Sequence, residues 1–147
     1  MRTYNNVMDK SQDIIFLIKH LSKLLEKSLD ETTQKLGLTP QQGRILWYLL
    51  RNEDQKIKQV DIEKRFSLSK STVSGLIKRM LNKELISRDK KDNHLEIAPE
   101  GRKIMDDFNK CNESLREDLL KDFSQEERSR IFKTLYSMID VMEGGKK

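Results

Sequence analysis

The stretch from Ser69 to Arg79 combines small hydroxyl side chains with basic ones, a mixture suited to contacting phosphates and base edges. As a helix turning about 100° per residue, it would place Ser71, Ser74 and Lys78 on one polar side. The other side would be an apolar stripe, formed by Val73, Leu76, Ile77, Met80 and Leu81. Lysine can donate to guanine O6 and N7, and serine can contact several bases. The pattern therefore predicts a helix that enters the major groove of DNA.

The candidate DNA contacts form three groups along the chain. The first turns of this helix are expected to meet base edges, while hydroxyls at its start hold phosphate, because helix N-termini attract anions. Residues before the helix and in a following hairpin are expected to contact the DNA backbone or the minor groove. The full set is Gln59, Ser69, Lys70, Ser71, Thr72, Ser74, Lys78, Arg79, Arg88, Lys90, Lys91 and His94.

Two residues of the helix allow more than one interpretation. Arg79 lies on the flank of the polar side, where it either contacts DNA or pairs with an acidic side chain of its own protein. Gly75 lies on the polar side itself, although a glycine costs about 1 kcal/mol in a helix interior relative to alanine. It either lets DNA approach the helix backbone closely or is a tolerated surface glycine, and the sequence leaves both open.

The basic residues of the chain are concentrated around this helix. The 147 residues carry a net charge of +5, with 35% hydrophobic and 36% charged residues. Between Gln55 and Lys91, eleven Lys and Arg stand against four acids, so this segment is +7 and the rest is −2. A concentrated basic segment favours a polyanionic partner, but a solvated lysine-rich surface explains the charge alone equally well.

Several classes of protein are excluded by what the sequence does not contain. Cys111 is the only cysteine, so no disulfide can form within the chain, and we expect this side chain to be packed in an apolar helix face. No signal peptide or long apolar run is present, which predicts a cytoplasmic protein that does not enter membranes. The histidines and the cysteine have no metal-ligand or nucleophile spacing, so we expect neither an enzyme nor a bound cofactor or metal.

The order of the predicted elements is that of a winged helix-turn-helix. Thr39 and Gln42 predict a capping box, Ser69 predicts a helix N-cap, and Ser124 with Glu127 predicts a second capping box. The expected elements are helices over 9–34, from Pro40 to about 51, over 58–66 and from 70 to Asn82, strands over 85–88 and 94–98, a long helix from Pro99 through Leu119, and a last helix after Ser124.

The predicted fold class is mainly α with a small β-hairpin wing. A winged helix-turn-helix lobe over 37–98 would be flanked by an N-terminal dimerisation helix over 1–36 and C-terminal dimerisation helices over 99–147. The outer helices carry more apolar surface than one small module covers, so a second copy is expected to bury it; packing on their own module is the alternative. Trp47 and Tyr48 are interpreted as core and interface residues rather than as a ligand-stacking pair.

The chain resembles the MarR family of bacterial winged-helix transcriptional regulators over essentially its whole length. The matching residues are Leu38-Thr39-Pro40-Gln41-Gln42, Val60-Asp61-Ile62, Leu68-Ser69-Lys70-Ser71-Thr72-Val73-Ser74, Lys83-Glu84-Leu85-Ile86-Ser87-Arg88 and Gly101. The resemblance implies a triangular homodimer with paired winged-helix lobes that represses promoters at pseudo-palindromic sites. It also implies that a small ligand, bound between the dimer helices and the DNA lobe, releases the DNA.

Among the departures from the pattern of that family, two concern contacts with DNA. Gly75 stands where members often carry an arginine, so one common DNA contact is missing. The wing is short, with nine residues between Arg88 and Ala98, and Asp92-Asn93-His94 replaces the usual Asp-x-Arg tip. Contacts to the minor groove would then fall on Lys90, Lys91 and His94.

The resulting prediction is a homodimeric, sequence-specific transcriptional regulator, a repressor of MarR type that a small-molecule effector relieves. Its partners would be double-stranded DNA with a pseudo-palindromic operator, a second copy of the chain and the effector. The alternative is a winged-helix protein-interaction module or antagonist that has lost operator binding. Gly75 and the short wing favour the alternative, and the basic segment opposes it.

Overall fold

The structure is a computed structural model of the chain, and it describes residues 10–145. The elements are α1 (Lys10–Lys35), α2 (Pro40–Arg51), α3 (Gln59–Phe66), α4 (Lys70–Asn82), β1 (Ile86–Arg88), β2 (Leu95–Ile97), α5 (Pro99–Cys111), α6 (Glu113–Leu120) and α7 (Gln125–Met142). They form two compact units, one extending to Lys110 and the other beginning at Cys111. The mainly helical fold with a small hairpin wing is confirmed.

The predicted helix ends agree with the local chemistry of their capping residues. The Thr39 hydroxyl accepts a hydrogen bond from the Gln42 amide at 3.2 Å, while the Gln42 side chain accepts one from the Thr39 amide at 3.1 Å. Ser124 and Glu127 make the same reciprocal pair at the start of α7. After α1, Gly37 has a φ of +81°, a left-handed conformation that glycine adopts without strain. The expected start of α1 at residue 9 lies outside the described residues.

A close crossing fixes the C-terminal half of α1 against α2. A Cβ atom at Gly43 would lie 2.6 Å from Cγ2 of Thr33, so a larger residue at position 43 would force the helices apart. Arg44 of α2 reaches back to α1, where it donates hydrogen bonds to Glu26 at 2.9 Å and to Asp30 at 3.0 Å. The crossing therefore couples the first helix directly to the winged-helix lobe.

The core of the first unit lies between α2, α3, α4 and the start of α5. Its fully buried side chains are Ile45, Leu46, Ile62, Val73, Ile77, Met80 and Met105. Because α4 buries Val73, Leu76, Ile77 and Met80 in this core, its opposite side is exposed, as the apolar stripe predicted. α5 begins very close to the sheet, since a Cβ at Gly101 would overlap the carbonyl oxygen of Leu85.

The wing is a two-stranded antiparallel hairpin in which Ile86 pairs with Ile97 and Arg88 with Leu95. The Leu95 amide also donates to the Ile57 carbonyl at 2.7 Å, which ties the hairpin to the segment before α3. In the turn, Asn93 has a φ of +66°. The short connection is thus a compact turn rather than an extended loop.

The C-terminal region differs from the sequence prediction in two places. The expected long helix from Pro99 through Leu119 is wrong, because Asn112 (φ −89°, ψ 0°) separates α5 from α6. Asparagine is a weak helix former, since its side chain competes for backbone hydrogen bonds. Cys111 is exposed, which contradicts the expected apolar packing; α5 ends at this residue, and the helical periodicity that predicted the packing ends with it.

The second unit consists of α6, α7 and the turn between them. Arg128 closes that turn by donating to the Leu120 carbonyl at 2.8 Å and to the Phe123 carbonyl at 3.1 Å. Neither helix has a buried residue in the single chain. Among the helices that the structure describes, none is long and apolar enough to cross a membrane.

Candidate nucleic-acid interface

Three hydroxyl groups cluster at the exposed start of α4. Ser69 caps the helix, and its Oγ accepts a hydrogen bond from the Thr72 amide at 3.2 Å. The same oxygen lies 2.8 Å from the Thr72 hydroxyl, to which it donates, and 3.2 Å from that of Ser71. The unpaired amides of a first helical turn carry a partial positive charge. This end of α4 therefore offers hydroxyl and amide donors to an anion such as a phosphate.

A hydrogen bond joins the two helices of the helix-turn-helix across the candidate interface. Nε2 of Gln59, the first residue of α3, donates to Oγ of Ser74 at 2.7 Å. Between the helices, Ser67 adopts a left-handed conformation with a φ of +51°. The bond brings two predicted contact residues together and leaves the Ser74 hydroxyl proton free to point elsewhere.

The two lysines of α4 are exposed and available for contacts. Lys70 begins the helix and Lys78 lies two turns later, and within the described residues neither forms an ion pair with an acidic side chain. Ser71 is exposed on the same side of the helix as Lys78. The structure thus brings Ser71, Ser74 and Lys78 onto one exposed surface, as their spacing predicted.

Arg79 folds back along α4 instead of pairing with an acid. Its guanidinium lies against Gly75, where a Cβ atom would be 3.4 Å from Nη1 and 3.8 Å from Nη2. No acidic partner of Arg79 occurs among residues 10–145. Of the two interpretations of Arg79, pairing within its own protein is therefore not realised in this structure.

The side chain of His94 is held within the wing between two carboxylates. Its Nδ1 contacts Asp92, and its Nε2 lies 2.6 Å from Oε1 of Glu96, so the side chain is only 12% exposed. Lys56, just before α3, binds the second oxygen of Asp92 at 2.8 Å. The predicted wing contacts therefore separate into exposed Lys90 and Lys91 and an enclosed His94.

This network also changes the acidity of its members. The hydrogen bond to Asp92, assisted by Glu96, raises the pKa of His94 above its ordinary value of 6.5. The hydrogen bond from Lys56, followed by that from His94, holds the pKa of Asp92 well below its usual range. Both pKa shifts favour the charged forms of His94 and Asp92. Sequence reasoning missed Lys56 and Asp92, because they are adjacent only after α3, α4 and the wing have folded.

The sequence model of the MarR family matches residues 36–93 of this chain, from just after α1 to the wing. Through this segment the chain is similar to the MarR family. The match covers the capping box at Thr39, the whole of α4 and the Lys56–Asp92 contact. The resemblance that the sequence motifs indicated is therefore confirmed.

Two curated proteins from Bacillus subtilis (strain 168) are similar over most of the chain. The HTH-type transcriptional repressor YetL is 22% identical over 143 residues, which cover 94% of this chain and 86% of YetL. The uncharacterized HTH-type transcriptional regulator YsmB is 27% identical over 137 residues, which cover 89% and 92%. These relatives are transcriptional regulators, in agreement with the expectation that this chain is not an enzyme.

Solved structures share the fold of this chain. The MepR–DNA complex of Staphylococcus aureus has a TM-score of 0.66 at 23% identity, covering 91% of this chain and 99% of that one. The transcriptional regulator Tm0710 from Thermotoga maritima has a TM-score of 0.72 at 21% identity, covering 92% and 98%. At such identities the likeness establishes the fold.

Two further features of this lobe could resemble binding sites. Asp89, Asp92 and His94 have ligand atoms within 4.8 Å of one another, but Asp92 binds the Lys56 ammonium and one oxygen of Asp89 accepts two backbone amides. A cleft of about 180 Å³ lies between the end of α2, β2 and Arg102. It is smaller than the roughly 300–1,000 Å³ of typical ligand pockets.

Proposed function

We propose that this chain is a homodimeric transcriptional regulator that represses promoters by binding DNA sequence-specifically through α4. The observation that carries the proposal is the exposed surface of Ser71, Ser74 and Lys78, in a lobe that matches the MarR family model. YetL is named as a transcriptional repressor, and MepR has been solved in complex with DNA; both support the proposed function. The cytoplasm, where bacterial DNA lies, is the proposed location.

The predicted contact residues are assigned separate roles within this proposal. Base edges are read from the exposed surface of α4, while the hydroxyls and amides at its start bind phosphate. Gln59 positions Ser74, and Arg88 binds the DNA backbone beside the wing. Lys90 and Lys91 contact the minor groove or its phosphates. His94 is assigned to bracing the wing, because both of its ring nitrogens face carboxylates of the same hairpin.

The outer helices are assigned to dimerisation, with 1–36 and 99–147 flanking the DNA-binding lobe over 37–98. Large apolar side chains stay exposed on both outer segments of the single chain. On α1 they are Ile14, Ile15, Phe16, Leu17, Ile18, Leu21 and Leu24, and on α7 they are Phe132, Leu135, Tyr136, Met138, Ile139, Val141 and Met142. Contiguous apolar surface of this kind marks an interface. A second copy that covers it would bury about 2,000 Å² or more, the scale of an obligate dimer.

Symmetry then sets the geometry of the operator. A two-fold dimer presents two copies of α4, which read half-sites about one DNA turn apart, roughly 34–36 Å. We further propose that a small-molecule effector relieves repression by changing this separation. The proposal of an effector is supported only by the resemblance of this chain to the MarR family.

A winged-helix module that binds protein instead of DNA is the second candidate. The enclosed His94 and the compact wing favour it, because they remove one predicted DNA contact. The exposed lysines of α4, with no acidic partner among the described residues, favour DNA. The two candidates differ in how binding responds to salt.

The test is a salt titration of duplex DNA binding with the full chain and its Lys78→Ala variant. For the regulator, log affinity falls linearly with log salt, with a slope of about −0.9 for each phosphate neutralised. Lys78→Ala lowers discrimination between sequences by about 1–3 kcal/mol. Lys103→Ala, an exposed lysine of α5, is the control and leaves discrimination unchanged. If no duplex binds at low salt, the DNA-binding function is wrong.

A further inference from the structure

The side chain of Arg79 reaches a different part of α4 from the one its sequence position suggests. Four residues after Gly75, it leaves the helix about 40° further round the axis, on the flank of the polar side. Side chains in a helix lean toward its N-terminus, and this one ends with its guanidinium against Gly75. The charge is thereby carried from the flank toward the exposed surface that holds Ser71 and Lys78.

The missing side chain at Gly75 creates the space that the guanidinium occupies. A Cβ atom there would lie 3.4 Å from Nη1, 3.8 Å from Nη2 and 3.9 Å from Cζ of Arg79, which are ordinary contact distances. Alanine is therefore compatible with this position of Arg79. Atoms beyond Cβ would extend into the guanidinium, so a longer side chain at position 75 would displace it.

The position of Arg79 is not explained by a partner within the protein. Four other arginines of the first unit do have partners. Arg44 and Arg102 bind carboxylates, and Arg51 and Arg65 lie over aromatic rings. Arg79 has neither kind of partner within residues 10–145 and is exposed. Its five N–H donors therefore have no carboxylate among the described residues and are available to a ligand.

We infer that Arg79, seated on Gly75, is the residue of α4 that recognises a guanine in the major groove. A guanidinium can donate two parallel hydrogen bonds to guanine O6 and N7, the commonest specific contact in protein–DNA complexes. Its planar fork is pre-organised, so less conformational freedom is lost for each hydrogen bond formed. The inference rests on the proposed DNA-binding function, to which it adds one base specificity and the residue that seats it.

The experiment is a selection of duplexes from a randomised pool with the full chain, followed by affinity measurements on the selected duplex and its single-base variants. Arg79→Ala loses the preference for one guanine in each half-site, by about 5- to 150-fold, while the other positions stay selective. Arg65→Ala removes the same charge from the same basic segment and serves as the matched control. It weakens binding equally for all sequences or leaves it unchanged.

Substitutions at position 75 test the seat itself. Gly75→Ala retains the guanine preference, whereas Gly75→Leu loses it to the same extent as Arg79→Ala. Because both act through one guanidinium, adding Gly75→Leu to Arg79→Ala has no further effect on affinity. If it weakens binding further, Gly75 provides clearance for DNA instead of a seat, and that part of the inference is overturned.

The outcomes separate this inference from the function on which it rests. If the unchanged protein selects no sequence, the DNA-binding function is wrong, and the role inferred for Arg79 is wrong as well. If the unchanged protein selects a sequence and Arg79→Ala keeps every base preference, the guanine assignment alone is overturned. Circular dichroism of each variant confirms that helix content is retained, since positions 75 and 79 lie outside the core.

Discussion

Single residues of the wing determine how much positive charge it exposes. Asp92 and Glu96 neutralise His94, and Asp92 also binds Lys56, so the exposed charge of the hairpin turn is carried by Lys90 and Lys91. The sequence predicted His94 as a contact because it stands at the wing tip. Both carboxylates lie only two residues from His94, but the alternating pattern alone does not show that the turn places Asp92 against the ring.

The raised pKa of His94 predicts a pH dependence of the wing. A group whose pKa is higher in the folded than in the unfolded state stabilises the fold fully below its unfolded value, about 6.5. That stabilisation is lost as the pH rises through the folded pKa. We therefore expect an NMR titration of the His94 ring to have a midpoint above 6.5, which Asp92→Asn lowers. A midpoint at or below 6.5 in the unchanged protein would show that the ion pairs do not form.

Gly75→Ala is expected to stabilise the protein by about 0.4–1 kcal/mol. Gly75 lies inside α4 without a positive φ, and the added Cβ meets the flexible end of Arg79 at 3.4 Å. Alanine then reduces the entropy of the unfolded chain without strain in the folded one. Urea unfolding measures the change, and a loss of stability would mean that the Arg79 contact is tighter than the structure shows.

At the scale of elements, helix starts that depend on local chemistry were predictable from the sequence. A helix break and a long-range hydrogen bond were not. The capping residues Thr39, Ser69 and Ser124 act on amides three residues away, so the sequence places them correctly. The break at Asn112 interrupts a continuous apolar spacing, and periodicity alone does not reveal it. The hydrogen bond from Leu95 to Ile57 joins segments far apart in the chain and had no sequence signal.

Gly101→Ala is expected to have the opposite effect from Gly75→Ala. The new Cβ would overlap the backbone oxygen of Leu85, which cannot rotate away, so α5 must shift from the sheet. We expect a loss of about 1–3 kcal/mol, the usual cost of overpacking. The same urea experiment compares the two alanine variants directly. Equal or greater stability of Gly101→Ala would contradict the close approach of α5.

In the proposed dimer, the outer helices complete their packing with a second copy of the chain. Leu135→Asp on α7 would place an unpaired charge in that interface, where the loss is roughly 3–5 kcal/mol. We expect the dimer to dissociate at about 100-fold higher concentration or more, measured by sedimentation. Lys133→Asp changes the charge of a neighbouring exposed position and serves as the control. A protein that is monomeric before substitution would contradict the role assigned to the outer helices.

Sequence-specific binding of a two-fold symmetric DNA site is the central claim, and selection from random duplexes tests it most directly. The exposed surface of Ser71, Ser74 and Lys78, presented twice by a dimer, predicts an enriched inverted repeat. Its half-site centres should be about 10–10.5 base pairs apart, or a multiple of that spacing. Enrichment of no sequence, or of a single site without symmetry, would contradict it.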